Sequence, residues 1–217
     1  MKKYILYSLL FLAVNIACAQ ETRENDVPLS SNNDYTYEMI VPGLTNPWGL
    51  AILPDGSMLI TEKSGELIHF KDNQKTMITG VPKVVSRNQG GLLDIRLHPD
   101  YTTNGWIYIT YSSPEGTEDG AMTALMRAKL KNGALTDQKV LYKGSPNTRK
   151  SHHFGSRIRF DKEGYVYFSI GDRGDRDTNP QDITRDGGKI YRLNADGSIP
   201  KDNPFVGKDG AKEAIFS

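Results

Sequence analysis

The 217-residue sequence carries 27 Lys and Arg against 26 Asp and Glu, which excludes recognition of nucleic acid or of an anionic membrane driven by net charge. Its one cysteine, Cys18, lies in the N-terminal apolar stretch, so a disulfide-stapled fold is excluded too. With 21 Gly and 11 Pro, short apolar runs broken by Gly, Pro, Asn and Asp, and no long helical periodicity, the composition reads as an all-β protein.

In chain order, Met1-Lys2-Lys3 leads into an apolar run over residues 4–17, and Ala17-Cys18-Ala19 offers small residues for cleavage before Gln20. Residues 1–19 are therefore predicted to be a signal peptide, and the run is too short to cross a membrane comfortably. That predicts export to the periplasm or beyond, with no transmembrane segment in the mature chain. Lipid anchoring at Cys18 is the minor alternative, because Asn15-Ile16-Ala17 matches a lipoprotein signal poorly. Residues 20–34 are polar and predicted to be a flexible leader, with folded structure over 35–217.

Residues 48–61 read as strand, Pro54-Asp55-Gly56 turn and strand, which is a hairpin. Residues 93–97 and 106–111 repeat the design around His98-Pro99-Asp100-Tyr101, and residues 157–160 and 165–170 repeat it around Asp161-Lys162-Glu163-Gly164. Further strands are predicted over 66–70 and 77–78 in the first unit, 121–130 and 139–142 in the second, and 189–193 in the third. Four strands per unit describe a propeller blade, and a β-sandwich of generic hairpins is the alternative that the repeated turn chemistry disfavours. Three blades leave a ring open. The expectation is thus a partial β-propeller, the first half of a longer chain, ending part-way into an apolar stretch at Ala214-Ile215-Phe216-Ser217 and folding poorly alone.

Histidine is scarce, and His152-His153 stands before a strand, where a propeller collects loops near its axis. Asp172, nineteen residues on, closes the partner strand in Ile170-Gly171-Asp172, so a hairpin would bring the two together. A carboxylate on one imidazole nitrogen fixes the tautomer and raises the basicity of the other, as a general base requires. A solvated turn histidine and an Asx-turn aspartate are the plainer alternative. Gln89-Gly90-Gly91 holds the matching pre-strand position one unit earlier, where paired glycines let backbone approach a ligand or another strand. Asp172 to Asp177 alternate acids without the EF-hand pattern, and Gly187-Gly188-Lys189 lacks phosphate-loop spacing.

These motifs resemble, in order and spacing, the glucose/sorbosone dehydrogenase family of soluble pyrroloquinoline quinone (PQQ) dependent aldose dehydrogenases. The likeness rests on Asn46-Pro47-Trp48-Gly49-Leu50, Gln89-Gly90-Gly91-Leu92-Leu93, His153-Phe154-Gly155-Ser156-Arg157, Ile170-Gly171-Asp172 and residues 188–200. The resemblance implies a six-bladed propeller, PQQ and calcium as cofactors, a sugar substrate and a downstream electron acceptor, with a homodimer possible. It implies His153 as the base taking the anomeric hydroxyl proton while hydride passes to PQQ, Asp172 as its orienting acid, and Gln89 in the substrate and cofactor site. His152 and Asp177 fall where sugar preference is set, whereas the metal ligands and most PQQ contacts fall beyond Ser217. A propeller that binds carbohydrate or protein without redox chemistry is the other class of function compatible with the scaffold.

Overall fold

The computed structural model describes residues 36–217, so the predicted signal peptide, the leader and Cys18 lie outside the described residues. Every described strand belongs to the unit Ile40–Ser217. The architecture is all-β, built from antiparallel sheets. The first holds β1 (Pro47–Ile52), β2 (Met58–Glu62), β3 (Leu67–Lys71) and β4 (Gln74–Ile78) in sequence order. The second runs β5 (Leu92–Leu97), β6 (Trp106–Ser113), β7 (Met122–Lys131) and β8 (Ala134–Lys143), with one helical turn, α1 (Tyr101–Asn104), between its first two strands. The third pairs β9 (Ile158–Phe160), β10 (Val166–Ile170) and β11 (Lys189–Leu193). Residues 214–217 run along β11, with Arg192 N–H donating to Ala214 O at 2.9 Å and Phe216 N–H to Ile190 O at 2.8 Å, and so add a short fourth segment to that sheet.

Turn chemistry closes the hairpins. Asp55 Oδ1 accepts from Ser57 N–H (3.1 Å) and Ser57 Oγ (2.6 Å), and Gly56 between them adopts φ 82°. Asp196-Gly197-Ser198 repeats the arrangement after β11, with contacts of 2.9 and 2.6 Å.

The sheets stack face to face. Ala51, Leu59 and Leu67 of the first pack with Leu92, Ile95, Ile107 and Ile109 of the second. From the other face of the second, Tyr108 and Leu125 pack with Ile158, Val166, Phe168 and Tyr191 of the third. Strand β6 is consequently buried on both sides, which explains its unbroken apolar and small-hydroxyl sequence. In β1 only the inner positions Gly49 and Ala51 are buried, while Leu50 and Ile52 on the opposite side are 48 % and 60 % exposed.

Polar ties fix how the stack is spaced near the strand ends. Thr61 Oγ1 accepts from Gly49 N–H (2.8 Å) and donates to Leu93 O in the next sheet (2.6 Å). Thr110 does the same one sheet later, accepting from Asp94 N–H (3.0 Å) and donating to Ser156 O (2.9 Å). The buried Asp94 carboxylate also accepts from Ile158 N–H at 2.8 Å, so the start of β9 is anchored to β5. Among the described residues, no helix is long and apolar enough to cross a membrane.

Candidate active site

The loop before β9 and the loop after β10 meet because β9 and β10 are antiparallel neighbours, with Phe168 paired to Ile158. Close backbone contact there requires glycine. A Cβ on Gly171 would sit 2.2 Å from His153 O, and one on Gly155 (φ 71°) would sit 2.8 Å from both Gly171 N and Ser169 O. The Ser156 N–H donates to Ser169 O at 2.7 Å and closes the junction.

That junction brings His153 and Asp172 into contact, Nδ1 to Oδ1, at 2.7 Å. Asp172 Oδ1 accepts a second hydrogen bond from Gly174 N–H at 2.7 Å. Hydrogen bonding from His153, reinforced by the Gly174 amide, holds the Asp172 carboxyl below the usual carboxylate range, so it is ionised at neutral pH. An ionised carboxylate only accepts, so Nδ1 carries the proton and the lone pair of a neutral ring sits on Nε2. Among the described residues Nε2 has no hydrogen-bond partner, and the His153 side chain is half exposed.

Gln89 reaches the same point from the loop before β5: its Oε1 accepts from His153 N–H at 2.7 Å, and its own backbone N–H donates to Ser151 O at 3.0 Å. Gly90 and Gly91 allow that approach. A Cβ on Gly91 would lie 2.0 Å from Lys63 O, and one on Gly90 2.7 Å from Val85 O, so the paired glycines accommodate neighbouring protein backbone. His153 itself is in the left-handed region at φ 54°, a conformation that non-glycine residues adopt only when their surroundings impose it.

Asn46, Trp48, Lys63, Gln89 and His153 line an open cavity of about 380 Å³. His152 packs edge-on against His153, ring centroids 4.6 Å apart, beside the site. Asp177 stands apart: its side chain is exposed, lies 3.8 Å from Arg176, and is not among the residues lining the cavity. Trp48 and Lys63 are lining residues that sequence reading did not single out, although Trp48 lies in the Asn46-Pro47-Trp48 motif. Arg173, next to Asp172, is a third residue missed in that way, and it is almost wholly buried. No group of three or more His, Cys, Asp or Glu side chains among the described residues is placed to hold a metal ion.

Comparison with known proteins identifies the family and the fold. Residues 44–217 match the family described as Glucose / Sorbosone dehydrogenase. The chain is 37 % identical over 185 residues to the aldose sugar dehydrogenase YliI of Escherichia coli, covering 83 % of this chain and 49 % of that protein. The crystal structure of the apo aldose sugar dehydrogenase of E. coli superposes with a TM-score of 0.75 at 37 % identity, covering 79 % of this chain and 50 % of the other. The PQQ-bound aldose sugar dehydrogenase of Streptomyces coelicolor superposes with a TM-score of 0.69 at 29 % identity, covering 82 % and 52 %. The chain thus spans about half the length of these relatives. It belongs to the glucose/sorbosone dehydrogenase family.

Proposed function

We propose that this chain is the N-terminal half of an exported, PQQ-dependent dehydrogenase that oxidises aldose sugars to lactones. The observation that carries the reading is the His153–Asp172 pair, with an unpartnered Nε2 beside a cavity lined by Gln89, Trp48 and Lys63. Each sheet is read as one blade of a six-bladed β-propeller. The exposed Leu50 and Ile52 of the first sheet and Ile190 of the third are faces on which the remaining blades would pack.

The cavity suits a flat, polar, anionic cofactor: Trp48 offers ring surface, Lys63 an ammonium, and Asn46 and Gln89 amide groups. PQQ, when bound, supplies a two-electron oxidant that takes hydride from the sugar's anomeric carbon. His153 Nε2 takes the anomeric hydroxyl proton, so that as the C1–H bond breaks the C1–O bond becomes the lactone carbonyl. Asp172 keeps the ring in the required tautomer and stabilises the imidazolium that forms. Gln89, by accepting from the His153 amide, fixes the backbone from which the base projects and leaves its amide nitrogen for the sugar or the cofactor. His152, packed edge-on against His153, flanks the site without lining the cavity, and Asp177 lies outside it. Among the described residues no carboxylate cluster is placed to hold calcium, and the roles of His153, Asp172 and Gln89 do not depend on it.

The test is to reconstitute the full-length protein with PQQ and calcium and to follow dye reduction against a panel of aldoses, beside the 217-residue chain. Sugar-dependent reduction by the full-length protein, with lactone as product, is the expected result, and no turnover by the 217-residue chain alone. PQQ binding without turnover of any aldose would favour a binding propeller instead.

A further inference from the structure

Arg173 is unusual for a charged residue in a polar loop. Its side chain is 1 % exposed, its backbone is left-handed at φ 56°, and no carboxylate forms an ion pair with it among the described residues. Its guanidinium instead spans carbonyl groups. Nη1 donates to His152 O, and Nη2 donates to Lys150 O at 2.5 Å and lies 3.5 Å from Thr148 Oγ1. The guanidinium plane centres 3.6 Å from the Phe154 ring, and Nε, also buried, has no partner. Burial pushes the guanidinium down to about 10, which still leaves it charged at neutral pH.

Burying an unpaired cation is costly, and such an arrangement persists where the surrounding structure gains from it. Here the gain is in the loop that carries His153. Residues 171–174 grip that loop at successive points: Gly171 lies against His153 O, Asp172 accepts from His153 Nδ1–H, Arg173 donates to His152 O, and Gly174 lies against the His152 ring, where a Cβ would fall 2.4 Å from Nε2. On its other side the loop is tied by Gln89 to Ser151 O and to His153 N–H, and by Arg87 to Arg149 O. Without Arg173, the Lys150 and His152 carbonyls lose their donor and Phe154 loses its cover. His153 then has less to keep it in a left-handed conformation that it would otherwise leave.

We propose that Arg173 is the positioning residue of the His153 base, its guanidinium fixing the 150–154 backbone so that the imidazole stays on Asp172 with Nε2 turned to the cavity. This rests on the reading of His153 as base. Only a planar fork with an aromatic-stacking face bridges two carbonyls and covers Phe154 together, so lysine is a poor substitute at this position.

The test uses the full-length protein with ¹⁵N-labelled histidine, the His153 ring signals being assigned with His153→Gln. In the wild type the ring shows one tautomer, protonated at Nδ1. Asp172→Asn serves as the reference for a released ring. Arg173→Lys and Arg173→Met are expected to mix the two tautomers while amide spectra show the fold intact, Arg173→Lys deciding the matter if Arg173→Met does not fold. In the PQQ-reconstituted protein, Arg173→Lys is expected to lower kcat by about a hundredfold with KM within about twofold, as misplacement of a catalytic group does. An unchanged tautomer in Arg173→Lys, with Asp172→Asn altered, would overturn the role of Arg173 and leave that of His153 standing. If Asp172→Asn also leaves the ring unchanged, the His153–Asp172 reading fails, and the role of Arg173 with it.

Discussion

Replacing His153 with alanine in the full-length, PQQ-reconstituted protein is expected to lower turnover of its best aldose by about a hundredfold or more, the usual cost of removing a general base. The geometry makes the expectation specific. Nε2 is the ring atom left without a partner, Nδ1 is committed to Asp172, and no other histidine stands within the cavity lining. His152 lies adjacent, but its backbone carbonyl is engaged by Arg173 and its ring lies on Gly174, so it is not free to take over. The half-exposed His153 side chain carries little of the core, but its hydrogen bond to the Asp172 carboxylate is lost, so stability should fall by about 1 to 2 kcal/mol. Steady-state kinetics beside a urea melt separate the two effects. Unchanged turnover in the folded variant would remove His153 from the chemistry.

Substituting Gly171 with alanine is expected to be comparably severe for a different reason. The added Cβ would fall 2.2 Å from His153 O and 2.7 Å from His153 C, and both are backbone atoms that no rotamer change can move aside. The loops must separate, which breaks the Asp172–His153 hydrogen bond. A forced displacement of about 1 Å costs about a hundredfold in rate, and overpacking of this kind costs about 1 to 3 kcal/mol in stability. Denaturant melts and kinetics of Gly171→Ala check both. By contrast, a Cβ on Gly164 would meet no heavy atom within 4 Å, and what favours glycine there is its left-handed backbone at φ 86° rather than a close neighbour.

Much of this was legible in the residues. Pro54-Asp55-Gly56 and the Asp161 to Gly164 turn announce hairpins because Asp and Gly there satisfy backbone groups and supply positive φ. The meeting of His153 and Asp172 followed from one hairpin, since a residue just before β9 and one just after β10 lie side by side. Strand β8 was harder. Only its 139–142 stretch is visible as a strand, because Asp137 adopts φ 51° and the pairing with β7 slips there, a second slip falling at Leu141. The segment 214–217 shows as an apolar stretch, and its pairing with β11 is a tertiary fact. Arg173 was illegible for a deeper reason: an arginine between charged neighbours and glycines predicts an exposed side chain, and only the assembled loops supply the carbonyls and the ring that receive it.

The measurement that bears most directly on the account is the pre-steady-state rate of the reconstituted full-length protein, wild type and His153→Gln, with an aldose carrying deuterium at C1. The account predicts a primary isotope effect on the hydride-transfer step of the wild type, and in His153→Gln a fall in that step's rate of about a hundredfold or more. Oxidation with no isotope effect, or an unchanged rate in His153→Gln, would contradict it.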